Sequence, residues 1–183
     1  MKVKDIVLSA AKALGIEKGV SAFFDENNGE FQREAELLLS CFNNVECALA
    51  LDYIPLYAED TLRTVTERLD FSAFSHAPVR IVEVKDTEGN LVEFTLFPKY
   101  LKAGKGTFRV TYTYTPDAKT IEDESDFGLL SGSSMLVYGL LAEYSLAEGR
   151  FQEADQWDKR YKRAIESTYR SRPCKRIESR RWV

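Results

Sequence analysis

The apolar residues of this chain change their period twice. Ile6, Val7, Ala10, Ala13 and Leu14 recur at threes and fours, as do Phe31, Ala35, Leu38, Phe42, Val45 and Leu49. Between Pro78 and Pro116 the pattern becomes alternating. After Ser134 it returns to threes and fours. A helix repeats its faces about every 3.6 residues and a strand every two. The double switch therefore predicts an α+β protein, a helical bundle formed by N- and C-terminal helices with an inserted small antiparallel β domain.

Local signals set the boundaries. Gly15 stops a first short helix, and "FFDENNGE" reads as a loop. Asn27 and Glu30 have the spacing of a capping box ahead of the second helix, and Pro55 ends that helix near Asp52 to Ile54. "PVRIVEVKD" and "NLVEFTLF" read as strands joined by a turn at "DTEGN", with Gly89 supplying positive φ. In "GTFRVTYTYTP", Phe108, Val110, Tyr112 and Tyr114 form a packed face, and Arg109, Thr111, Thr113 and Thr115 a wet one. "LDFSAF" adds an edge segment. "SSMLVYGLLAEYSLAEG" is apolar on nearly all sides and predicts a buried helix, broken at Gly149. The last helix places Phe151, Ala154, Trp157, Tyr161, Ala164, Ile165 and Thr168 on one face, with Asp155–Lys159 and Asp158–Lys162 pairs at favourable spacing. The chain thus divides into a helical segment (1–60), a β region (65–116), an acidic linker (117–134), a helical pair (135–169) and a basic tail (170–183).

With 183 residues, 44% of them hydrophobic, the chain can bury a core without disulfides or metal. Its net charge of −4 disfavours a freely nucleic-acid-binding protein, so any such contact must be local. Cys41 and Cys47 sit on different sides of one helix, and with Cys174 they fit a reduced setting rather than a disulfide framework. The N-terminal stretch is too polar and short for a membrane span and lacks a signal-peptide core.

Motifs for chemistry are sparse. No HExxH, P-loop, GxGxxG or GxSxG occurs, and no cofactor is expected. His76 is the lone histidine and reads as structural. The serines of Ser131–Ser134 read as a helix start. Glu122, Asp123, Glu124 and Asp126 read as a solvated acidic loop without EF-hand spacing. Glu143 and Glu153 flank the last helical turn, and an enzyme using these carboxylates is one alternative function. Trp157 and Tyr161 read as core. The remaining feature is the tail, where Arg172, Lys175, Arg176, Arg180 and Arg181 surround one carboxylate and precede Trp182. Arginines pair bidentately with carboxylates and tryptophan anchors interfaces, so the tail reads as a partner-docking segment. A small nucleic-acid-binding protein using this tail is the second alternative.

The stretch "LVYGLLAEYSLAEGRFQEADQWDKRYKRAIEST", with its small-and-aromatic helix, glycine break and W…Y helix, resembles head–tail connector (adaptor) proteins of tailed bacteriophages. These proteins include the gatekeeper, or tail tubular protein A, type that the chain resembles. "PVRIVEVKDTEGNLVEF" and "GTFRVTYTYTP" resemble their β region, and the resemblance spans roughly residues 29–175. It implies a virion protein, made in the host cytoplasm, that forms a homo-oligomeric ring below the portal, passes DNA and attaches the tail. The implied partners are the portal protein and tail or stopper proteins, with non-specific DNA proximity in the channel and no membrane. Trp157 and Tyr161 match the aromatic helix positions, and Arg170–Val183 the docking extension. No catalytic residue carries over.

Overall fold

A computed structural model describes residues 1–26 and 29–170, with side chains for all of these except 129–133 and 169–170. The described residues form an α+β protein with two compact units. The helical unit combines residues 1–45 with the chain from Lys119 onward, and the β unit is residues 46–118 inserted between them. The bundle of both chain ends with an inserted antiparallel β region is therefore the observed fold.

The helical unit contains α1 (Val3–Ala13), α2 (Glu17–Glu26), most of α3 (Gln32–Ala48), α4 (Gly128–Ala147) and α5 (Phe151–Arg170). Its buried residues are the periodic ones: Ile6, Val7 and Ala10 on α1, Ala35, Leu38 and Phe42 on α3, and Met135, Leu136, Leu140 and Leu141 on α4. Positive φ at Gly15 (76°) and Gly149 (74°) ends α1 and α4. α3 runs antiparallel to α4. Arg33 at its start pairs with Glu148 at 2.8 Å, and Val45 near its end lies against Gly139. α4 and α5 form the most extensive helix pair, and Gly139 permits it. A Cβ there would come within 2.9 Å of the Tyr161 ring and 2.8 Å of Val45.

The acidic linker is a loop, and Glu122, Asp123, Glu124 and Asp126 are exposed in it as expected. Its backbone runs beside the start of α1, where the Val3 and Lys4 amides donate to the carbonyls of Asp123 and Ile121 at 3.0 and 3.2 Å. These are amides that a helix cannot satisfy internally. Ser125 N–H donates to Met1 O at 3.0 Å, and Asn43 exchanges two hydrogen bonds with the Lys119 backbone. The linker also ends sooner than its composition suggests. α4 begins at Gly128, so Ser131–Ser134 lie inside the helix rather than before it. Gly and Ser are weak helix formers, and here the apolar run that follows outweighs local propensity.

In the β unit, β1 (Leu56–Thr64), β6 (Gly106–Tyr114) and β3 (Pro78–Lys85) form one antiparallel sheet in the order β1-β6-β3. β2 (Arg68–Asp70), β5 (Tyr100–Lys102) and β4 (Thr95–Leu96) form a second in the order β2-β5-β4. One core serves both. Leu69 and Leu101 from the small sheet join Phe74, Ile81, Val84, Phe108, Val110 and Tyr112.

Several local expectations are corrected. "FFDE" belongs to α2 rather than a loop, and Asn27 of the expected capping box lies outside the described residues. The helical segment does not reach residue 60, because α3 widens into a π turn at Leu49–Tyr53 and β1 starts at Leu56. That strand was hidden because Asp60 takes an inward position between Ala58 and Leu62. "NLVEFTLF" is not a continuous strand. It bridges β3 only at Leu91, then sends Val92 and Phe94 toward the core before the short β4. Thr113, assigned to the wet face of β6, is buried. The turn at Asp86–Asn90 forms as expected, with Gly89 at φ 89° and the Asp86 carboxylate accepting from the amides of Glu88 and Asn90.

Candidate interaction surfaces

The proposed docking residues Arg172, Lys175, Arg176, Arg180, Arg181 and Trp182 lie outside the described residues. The other sequence candidates have definite places. Trp157 stacks on Tyr138 with ring centroids 5.9 Å apart, and Tyr161 is buried against Gly139. Both belong to the α4–α5 packing.

Glu143 and Glu153 do not share a cleft in the described surface. Glu153 is exposed and pairs with Arg150 at 3.0 Å. An open depression of about 350 Å³ beside it is lined by Gly149–Glu153 alone. The linker carboxylates turn to separate neighbours. Asp123 accepts from Thr120, Asp126 pairs with Lys119 at 3.0 Å, and Glu122 approaches Lys2 at 3.9 Å. Among the described residues, no three His, Cys, Asp or Glu side chains gather to hold a metal ion, and no helix is long and apolar enough to cross a membrane.

His76 belongs to a polar knot that sequence reasoning missed. Asp60 Oδ2 accepts from Ser75 N–H at 2.8 Å and from Tyr112 Oη–H at 2.8 Å, while Oδ1 accepts from Ser75 Oγ–H at 2.6 Å. The His76 amide donates to Tyr112 Oη at 3.2 Å, and its ring stacks on Tyr114 at 4.2 Å. Burial pushes the Asp60 carboxyl up. The Ser75 hydroxyl and amide, the Tyr112 hydroxyl and the His76 charge outweigh it and hold Asp60 below its ordinary value. Burial and the Asp60 carboxylate raise the Tyr112 hydroxyl. Ser75 gives its hydroxyl to a carboxylate, not to the imidazole. The arrangement ties the 71–77 connection to β1 and β6 rather than activating a nucleophile.

The clearest candidate surface is on the outer face of the larger sheet. Register places Tyr57, Thr113 and Arg80 in one row across β1, β6 and β3. β3 is irregular between Pro78 and Arg80 and again between Ile81 and Glu83, and the intervening Val79 and Val82 stand exposed. With Leu51 and Tyr57 they border a cleft of about 350 Å³ that contains Arg80. Farther along the face the surface becomes polar, with Arg109 on Glu59 at 3.4 Å and Lys85 on Glu83 at 2.6 Å. Arg80 makes no ion pair within the described residues. The signal was present as two valines off the alternation of "PVRIVEVK", but only pairing with β6 turns them outward.

A second apolar surface lies in the helical unit. Phe151, expected on the buried face of α5, is 69% exposed at the α4–α5 turn, and Leu146 nearby is 51% exposed. The turn itself, Glu148–Arg150, reverses the chain at Gly149 and puts Phe151 in the first turn of α5, ahead of its buried stripe.

Compared with models of known protein families and with curated protein sequences, the chain matches none.

Proposed function

We propose that this chain is a structural component of the head–tail joint of a tailed bacteriophage or prophage. In this reading it forms a ring below the portal, lets DNA pass and receives the tail. The observation that carries the reading is the threading of the fold. Both chain ends build one helical unit, and the β unit interrupts it between Val45 and Lys119. That is the arrangement the resemblance requires. The exposed apolar surfaces on each unit add support, because a ring subunit needs sites for its neighbours. The basic tail is the portal-docking element, its arginines suited to carboxylates and Trp182 to an apolar pocket.

The test is a chain ended after Tyr169, mixed with purified portal protein. The expected result is a folded subunit that has lost most of its portal affinity. Undiminished binding removes the docking role. Salt-sensitive DNA binding lost on the same truncation would instead support the nucleic-acid alternative.

A further inference from the structure

The two apolar surfaces differ in shape and charge. The β unit carries a concave cleft bordered by Leu51, Tyr57, Val79 and Val82, and its charged lining residue is Arg80, a cation with no ion pair among the described residues. The helical unit carries the α4–α5 turn, where exposed Phe151 and Glu153 line one open depression. Among the described residues Glu153 is held by an exposed pair with Arg150, of a kind worth little in water, so a competing guanidinium can share it. Neither surface is its own complement, but each complements the other.

We propose that the α4–α5 turn of one copy docks into the β-unit cleft of a second copy. Phe151 enters between Tyr57, Val79 and Val82, and Glu153 meets Arg80. In return, Tyr57 faces the depression lined by Gly149–Glu153. The occupant is a side-chain knob, not an added strand. The two irregularities at Val79 and Val82 interrupt β3, an edge strand, and so work against continuous backbone pairing along it. A contact between two different surfaces of identical chains is head-to-tail, and repetition gives a ring or an open chain. The proposal rests on the ring-forming part of the connector reading and specifies the faces used.

Sedimentation of the full chain over about 10 μM to about 1 mM tests it. The wild type is expected to show concentration-dependent association. Phe151→Ser should weaken it by about tenfold or more, the effect of an interface anchor. Because Phe151 is exposed, the variant should unfold at the same temperature as the wild type. Arg80→Glu and Glu153→Arg should each weaken association, and the double variant should recover it. A wild type that stays monomeric throughout overturns the proposal, as does association indifferent to Phe151 and Arg80. Portal binding by the same variants separates the two ideas. Self-association unchanged in the variants, with portal binding present, counts against this contact alone. Wild-type self-association that depends on Phe151 and Arg80, without portal binding, counts against the connector role.

Discussion

Gly139 shows how much one missing methyl group decides. Tyr161 can lie against α4 only because position 139 has no side chain, and Val45 fills the other side of the same gap. Gly139→Ala improves helix propensity by about 1 kcal/mol. It also inserts a carbon into contacts that must move, at a cost of about 1–3 kcal/mol. The expected net result is destabilisation, read as a lower urea midpoint with an unchanged slope. Asp60 gives a pH-dependent prediction. Its folded carboxyl titrates below the ordinary 3.8, so its contribution to stability is complete above that value and is lost as pH falls through the folded value. The stability gap between wild type and Asp60→Asn should be constant near neutrality and shrink in acid denaturation below about pH 4. Cys41 behaves oppositely. Burial, with Glu143 nearby, pushes its thiol from 9.0 to about 11, so the stability it contributes is present below pH 9 and lost as pH rises toward 11. At pH 8 a thiol reagent should modify the half-buried Cys47 before Cys41.

At the scale of elements, α4 is the helix that the unit is built around, and its described side chains include a polar mismatch. Ser145 is fully buried, and its hydroxyl has no hydrogen-bond partner among the described residues. Ser145→Ala should therefore be neutral or stabilising by up to about 1 kcal/mol in thermal unfolding. A loss of more than that would reveal a partner for the hydroxyl. α5 differs in kind. Its Asp155–Lys159 and Asp158–Lys162 pairs are short, at 2.6 and 2.7 Å, but exposed. Each contributes only about 0.3–0.5 kcal/mol, so the helix depends on Ala154, Tyr161 and Ile165 packing.

The whole chain is acidic, with a net charge of −4. Polyelectrolyte binding scales with the phosphates a protein neutralises. The isolated subunit is accordingly expected to bind duplex DNA weakly at about 150 mM salt, within a Debye length of about 8 Å. A mobility-shift titration checks this, and tight binding there would displace the structural reading. In the proposed ring, a net negative charge would keep passing DNA from adhering.

The chain's own pattern determined the class of fold. Period is a local property, imposed by backbone geometry on every residue of a helix or strand, and so the α-β-α order and the stops at Gly15 and Gly149 were legible. What failed was whatever depends on a distant partner. β1 escaped notice because its inward Asp60 looks polar until Ser75 and Tyr112 are brought to it. The acidic linker is solvated as its composition predicts, but nothing local showed that its carbonyls serve the amides of α1. Phe151 matched the apolar stripe of α5 by spacing, yet it lies ahead of the packed part of the helix and faces solvent. The cleft of Tyr57, Val79 and Val82 exists only through the pairing of β1 and β3 with β6. Composition can specify which residues avoid water, but which of them are left exposed to meet a partner is decided by three-dimensional packing.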